Sequence, residues 1–403
     1  MDLTIYPGPL AGSVAAPASK SQLQRLLLCA ALADKPSRIA APGPDCRDVG
    51  ALAGCLEALG AKVERTSGGF GVTPLAEAPA RAQLPCGQSG AALRFLLPVA
   101  AALGVEATFL LEGRLPDRPL EPLLRALEAG GAALSRPGPD RICCRGRLRP
   151  GRYVVDGGAS SQFLSGLLLA LPRLEGASRV WVTGPLVSQP YVAMTLAVLE
   201  RFQAAPEPAQ GGFWVHPRPY RAPARLEAEG DWSAAAFWLC ARALGNPVAV
   251  TGLDPDACQG DRAVEALVQE LTGPRRALDL TRTPDLAPPL AAAAAGLPGY
   301  TRLEGVGRLR GKESDRLAAL CAMVNALGGR ARQGADVLEI SGGPLAGGVV
   351  DARGDHRVAM AAAVAATVCA GPVMILGAQC VGKSYPAFWK DFQALGGTVE
   401  REM

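Results

Sequence analysis

Six times along the chain, a short polar cluster runs straight into a segment that is apolar on every face of a helix. The six begin at Ser19-Lys20-Ser21, Gly87-Gln88-Ser89-Gly90, Ser160-Ser161-Gln162, Gly230-Asp231-Trp232-Ser233, Pro284-Asp285 and Gly354-Asp355-His356-Arg357. They recur about every 50 to 75 residues, on the scale of repeated structural units. A helix without a polar face has to be buried. Six such helices, three and three, imply two domains with helices inside and sheets outside. Runs such as Arg179-Val180-Trp181-Val182-Thr183 and Val337-Leu338-Glu339-Ile340 supply the strands. A second helix in most units ends on a related phrase with Gly as its C-cap: Leu59-Gly60-Ala61, Gly130-Gly131-Ala132, Leu327-Gly328-Gly329, Leu395-Gly396-Gly397. The expected fold is therefore α/β, with each domain made of three repeated β/α units.

At 403 residues the chain exceeds one ordinary core, which agrees with two domains. A net charge of +4 without a long Lys/Arg run argues against a nucleic-acid partner. The eleven cysteines are scattered without a CxxC pair, as expected of reduced thiols in a cytoplasmic protein and not of disulfides or zinc. Residues 1–7 read as a strand, not as a signal peptide. The uncharged run 359–378 is long enough to span a membrane, but Gly371-Pro372 divides it into an Ala-rich helix and the strand Val373-Met374-Ile375-Leu376. It reads as buried core, with no membrane partner.

Cations gather in the motifs. Gly307-Arg308-Leu309-Arg310-Gly311-Lys312-Glu313-Ser314-Asp315-Arg316 leads into a helical pattern with Ser314 as the expected N-cap. An anion is favoured there by free backbone N–H groups, the helix dipole and the Lys and Arg charges together. Lys20, Arg25, Arg94, Arg118, Arg357 and Lys383 sit in comparable places. Arg94, on an otherwise apolar helix, argues for a buried anion or carboxylate partner. Asp285 and Glu313 are the candidate acid/base carboxylates. Of the two histidines, His216 reads as structural, and His356 has Asp355 beside it to orient or charge it. Gly377-Ala378-Gln379-Cys380-Val381-Gly382-Lys383-Ser384 matches the Walker A pattern letter for letter, which alone suggests a P-loop nucleotide-binding enzyme. Only 19 residues follow it, too few for the remaining β/α units, and Pro386 crowds the helix that should start there.

Taken together and in order, the motifs resemble those of the 5-enolpyruvylshikimate-3-phosphate synthase family over essentially the whole chain. They include Ser19-Lys20-Ser21 with Arg25, Gly87-x-Ser89-Gly90 with Arg94, Asp117-Arg118-Pro119, Ser160-Ser161-Gln162-Phe163 and Ser188-Gln189-Pro190-Tyr191. Gln259-Gly260-Asp261, Pro284-Asp285, Lys312-Glu313-Ser314-Asp315-Arg316, Asp355-His356-Arg357 and Cys380-x-x-Lys383-x-Tyr385-Pro386 complete the set. The resemblance implies a two-domain enolpyruvyl transferase-like fold that closes on its substrates. It places residues 1–15 with 228–403 in a discontinuous first domain and 16–227 in the second, with the active site in the cleft between them. It implies transfer of the enolpyruvyl group of phosphoenolpyruvate to the 5-hydroxyl of shikimate 3-phosphate in a monomer, with no cofactor and no metal. By resemblance, Ser21, Arg25, Ser160, Ser161, Gln162, Ser188, Tyr191, Asp285 and Lys312 hold shikimate 3-phosphate. Lys20, Gly90, Arg118, Gln162, Arg316, Arg357 and Lys383 hold phosphoenolpyruvate. Asp285 takes the hydroxyl proton and Glu313 protonates the methylene carbon, with Lys20 as a third catalytic residue.

Four positions depart from the family's habit. Gln88 and Ala91 replace common Asn and Thr, and bear on how phosphoenolpyruvate analogues such as glyphosate fit near Gly90. Arg308 stands where an Asn often contacts shikimate 3-phosphate, and Ala193 replaces a common Asp. The rival within the superfamily, UDP-N-acetylglucosamine enolpyruvyl transferase, carries a Cys acid on the loop equivalent to residues 113–119, where this chain has no Cys. A non-enzymatic anion-binding protein on the same scaffold would lack the Asp285/Glu313 pair.

Overall fold

The computed structural model describes residues 1–43, 46–273 and 276–402. These form two compact units, Ala18–Ala228 and the discontinuous Met1–Pro17 with Glu229–Met403. Each unit has its own apolar core. All six apolar segments are helices: Lys20–Ala31, Gly90–Leu103 and Ser161–Ala170 in the first of these units, and Trp232–Ala243, Ala287–Gly296 and His356–Ala366 in the other. Every residue of His356–Ala366 is buried. Ala and Leu dominate these helices because a large polar side chain in a close-packed core is costly unless it is partnered.

Five four-stranded sheets share one pairing plan, in which a parallel pair is extended by two antiparallel strands. In one, Arg152–Asp156 runs parallel to Ser178–Thr183, followed by Gly212–Val215 and Glu207–Ala209. Another has Ala277–Asp279, Gly299–Glu304, Val337–Gly342 and Arg330–Gln333 in the same order. Two sheets borrow a strand from far along the chain. Arg225–Glu227 pairs parallel with Ser37–Ala40, while Leu3–Tyr6 lies antiparallel between Val373–Leu376 and Thr398–Arg401. A sixth sheet has two strands, Gly12–Ala15 and Val248–Thr251. The phrase-ending glycines Gly60, Gly131, Gly328 and Gly396 all have φ near +100°. This left-handed conformation after a helix is where Gly carries least strain.

One helix crossing fixes part of the site. Gly166 packs against the carbonyl of Arg94 so closely that a Cβ would lie 2.3 Å from its oxygen. That carbonyl is available because Pro98, four residues on, has no N–H to bond it.

One local expectation is corrected, and the doubt about the Walker-like stretch is upheld. The N-cap of Arg316–Ala326 is Asp315, whose Oδ1 accepts from Ala318 N at 3.0 Å. Ser314 lies one residue outside the cap, and its hydroxyl donates to Asp355 Oδ2 at 3.0 Å. A carboxylate caps as well as a hydroxyl and also complements the dipole, so the helix starts one residue later than expected. The Walker-like stretch is not a phosphate-cradling loop. Residues Ala378–Lys383 wind into 3-10 turns, and the next helix begins only at Phe388. The N–H groups of Cys380, Ser384 and Tyr385 are taken by Gly377 O and Val381 O, so they cannot point at an anion.

Candidate active site

In the discontinuous unit, charges converge on Arg316, whose side chain is 1% exposed. Its Nε donates to Asp355 Oδ2 at 2.8 Å and its Nη2 to Asp355 Oδ1 at 3.1 Å, a two-pronged grip. Nη2 also reaches Glu313 Oε2 at 2.5 Å, and Nη1 reaches Asp285 Oδ1 at 3.1 Å. Asp285 has two further cations. Lys312 Nζ lies 3.3 Å from Oδ1, and Arg357 donates to the Asp285 carbonyl at 3.2 Å and to Oδ2 at 3.4 Å. Each position follows from a helix start. Asp285 lies in the 3-10 turn Pro284–Leu286 that leads into Ala287–Gly296. Arg316 is the first residue of its helix and Arg357 the second of His356–Ala366. The buried helices thus present their charged first turns to one another.

Burial pushes the Asp285 carboxyl upward, but Arg357, Lys312 and Arg316 outweigh it and hold the group well below the usual carboxylate range. Arg316 is shifted the other way. Burial disfavours its charge, and Asp355, Glu313 and Asp285 more than restore it. Asp355 is spoken for by Arg316, Ser314 and the Arg357 N–H, which leaves its expected service to His356 without a direct bond among those seen at its oxygens. Behind Asp285 lies a carboxylate with no role assigned from the sequence, Asp261. It accepts from the Ser233 hydroxyl and is pushed up to about 6 by burial and by the Asp285 charge.

The other unit gathers a second set. Lys20 Nζ pairs with Asp48 Oδ2 at 2.9 Å. Gln24 Nε2 links the Asp48 carbonyl at 3.0 Å to Ser89 Oγ at 3.3 Å. Beside Ser89, a Cβ on Gly90 would fall 2.8 Å from Arg118 Nη1 and 3.2 Å from Arg94 Nη1. Glycine here lets two guanidinium groups approach the backbone. Arg94 donates to Gln162 Oε1 at 2.7 Å and to Pro119 O at 3.2 Å, and lies over the Phe163 ring. The acceptors seen on Arg94 are thus an amide and a carbonyl, beside the anion or carboxylate that the sequence leads one to expect there. Arg25 donates to Thr195 Oγ1 at 2.7 Å, Ser21 O at 2.7 Å and Tyr191 O at 3.2 Å, and stacks over Phe95. Ser160 caps its helix through Gln162 N, and Ser188 holds φ +51°, a strained conformation that turns the chain into Gln189–Arg201.

Of the expected residues, Lys20, Gly90, Arg118, Gln162, Ser160 and Ser161 come together in one unit, with Ser21, Arg25 and Tyr191 joined through Arg25. Asp285, Lys312, Glu313, Arg316 and Arg357 come together in the other. Lys383 lies buried at the end of its own turn. Arg308 donates to Thr281 O at 2.5 Å, and its half-buried guanidinium lies in the field of Asp285. Asp48, Gln24 and Thr195 were not singled out from the sequence, and Asp261 was placed in a motif without a role. No periodicity connects Asp48 to Lys20 across 28 residues. Among the described residues, no three His, Cys, Asp or Glu side chains are grouped as a metal site.

Residues 5–392 match the family model for EPSP synthase (3-phosphoshikimate 1-carboxyvinyltransferase). The chain belongs to the EPSP synthase family. The 3-phosphoshikimate 1-carboxyvinyltransferase of Clostridium kluyveri is 36% identical, over 99% of this chain and 98% of that protein. The enzyme of the same name from Methanopyrus kandleri is 37% identical over 96% of each. The fold is that of the EPSP synthase of Acinetobacter baumannii, with a TM-score of 0.80 at 22% identity over 99% of this chain and all of that one.

Proposed function

We propose that this member of the EPSP synthase family transfers the enolpyruvyl group of phosphoenolpyruvate to the 5-hydroxyl of shikimate 3-phosphate and releases phosphate. The observation that carries the reading is the carboxylate pair Asp285 and Glu313, joined through one buried guanidinium and surrounded by cations. Addition of a hydroxyl across the double bond of an enol phosphate needs a base at the hydroxyl and an acid at the methylene carbon, shielded from water. Asp285, ionised throughout the working pH range, takes the proton of the 5-hydroxyl, whose oxygen bonds to C2 of phosphoenolpyruvate. Glu313 delivers a proton to C3, which becomes a methyl group. Loss of a proton from that methyl and departure of phosphate from C2 then restore the double bond.

The resting contacts oppose this chemistry, and the substrates relieve them. Three cations hold Asp285 as a weak base, and Glu313 cannot donate a proton from an oxygen already bonded to Arg316. In this reading, Lys312 turns to the phosphate of shikimate 3-phosphate, while Arg316 and Arg357 turn to the anionic groups of phosphoenolpyruvate. Asp285 becomes more basic and Glu313 is released only when both substrates are bound. Ser21, Arg25, Ser160, Ser161, Gln162, Ser188 and Tyr191 hold shikimate 3-phosphate. Lys20, Gly90, Arg118, Gln162 and Lys383 join the arginines on phosphoenolpyruvate. In this reading the protein acts as a cytoplasmic monomer.

The test is phosphate release from the two substrates together, in EDTA and without nucleotide. Release that needs both substrates supports the reading, and release only from ATP with magnesium overturns it. Asp285→Ala and Glu313→Gln each lower kcat by about 10²–10⁴, the usual share of one acid or base. A kcat near the parent value in either variant removes that residue from its role.

A further inference from the structure

The Walker-like stretch leaves a question that its match to phosphate-binding loops does not answer: what fixes Lys383. A lysine holds an anion as a point charge on a flexible four-carbon stem, so its backbone must be held still for the charge to be in place. The turn Ala378–Lys383 has little stiffness of its own, because 3-10 hydrogen bonds are poorly aligned. It is held from outside at both ends by one short helix, Phe388–Ala394. At the start of the turn, the Trp389 indole Nε1 donates to Ala378 O at 3.1 Å. Just past its end, Tyr385 donates its hydroxyl to Asp391 Oδ2 at 2.8 Å and accepts from Trp238 Nε1 at 3.3 Å. The Tyr385 N–H closes back onto Val381 O at 2.8 Å, inside the turn.

Packing alone would not select these groups. Tyr385 is 1% exposed and meets Trp238 edge-on, with ring centroids 6.3 Å apart, and Trp238 stacks on Phe388 at 5.0 Å. Phenylalanine would fill that place without a hydroxyl to desolvate or an indole N–H and a carboxylate to match. The polar chain from indole to phenol to carboxylate fixes the ring in one orientation, two residues beyond Lys383.

We propose that Tyr385 and Trp389 are positioning residues for phosphoenolpyruvate binding, clamping the two ends of the turn so that the Lys383 ammonium is aimed at the anion. This rests on the reading of Lys383 as a phosphoenolpyruvate ligand. The two substrates separate it from a general structural role, since the clamp touches no residue assigned to shikimate 3-phosphate.

The experiment is steady-state kinetics on the full chain, each substrate varied in turn, for Lys383→Met, Tyr385→Phe, Trp389→Phe and the double variant Lys383→Met/Tyr385→Phe. Lys383→Met is expected to raise the KM for phosphoenolpyruvate by about tenfold or more, a loss of one charge-assisted contact. Tyr385→Phe and Trp389→Phe raise it by about three- to tenfold, with the KM for shikimate 3-phosphate within about twofold of the parent. In the double variant, the Tyr385 change adds little to the Lys383 change, because both act through the same ammonium. If Lys383→Met raises the KM while Tyr385→Phe and Trp389→Phe do not, or if they move both substrates alike, the clamp is refuted and the proposed function stands. Additive effects in the double variant also refute it. An unchanged KM in Lys383→Met removes Lys383 from the site, and the clamp with it.

Discussion

Arg316 and Asp285 illustrate what one residue can and cannot announce. Both lie in recognisable motifs, and the reading of Glu313 as an acid depends on that resemblance. Neither motif predicts that Arg316 binds Asp355, 39 residues away, or that Asp285 collects three cations, because those contacts arise where separate helix starts meet. Asp261 was harder still to read, since an aspartate at the start of a turn ordinarily looks like a cap. Its neighbours Asp285, Asp231, Arg357 and Ser233 make it unusual, and they give a pH signature. Its carboxyl is raised from 3.8 to about 6, so between those values the folded state binds a proton that the unfolded chain has lost. Folding stability from this group is therefore complete below about pH 4 and declines as pH rises to about 6, by about 3 kcal/mol at about 1.4 kcal/mol per pH unit. Asp261→Asn removes the titration. The Tm of the variant relative to the parent should climb between about pH 4 and 6 and level off above. A difference that stays constant with pH would show that Asp261 keeps an ordinary carboxylate value.

Helices were more legible than sheets. An all-apolar segment after a polar cluster identifies a buried helix with little ambiguity, and all six are present. The common plan of five sheets was hidden, because Arg225–Glu227 and Leu3–Tyr6 pair with strands more than 150 residues away, in registers no local pattern encodes. The Walker-like stretch was legible as doubtful, yet its 3-10 winding was not, since no residue pattern in it marks such turns. A test of element packing lies at Gly166. A Cβ there meets a backbone carbonyl and Pro98, neither of which can swing aside. Gly166→Ala should therefore cost about 1–3 kcal/mol, as overpacking does, and lower the Tm by several degrees. Because Arg94 and Gln162 lie on the two helices that are pushed apart, the KM for phosphoenolpyruvate should rise too. Thermal unfolding and kinetics on one preparation check both, and an unchanged Tm would mean that the crossing is looser than it looks.

At the scale of the molecule, the sixfold repeat was the most informative signal, since it implies the helix count and the layered α/β architecture before any residue is given a role. What it could not convey is energetic independence. Each unit carries its own core, and units with separate cores need not unfold together. Calorimetry without ligands is expected to give a van't Hoff enthalpy below the calorimetric enthalpy, as for more than one cooperative unit. Equal values would show that the chain melts as one.

The strand Leu3–Tyr6 carries a last consequence, for the order in which the protein is made. It leaves the ribosome long before either of its partners, Val373–Leu376 and Thr398–Arg401. All the residues of Ala18–Ala228 are meanwhile synthesised and free to fold. Until those partners emerge, the nascent chain therefore carries a short strand with unpaired edges, and Pro7 and Pro9 directly behind it limit its chance of pairing elsewhere.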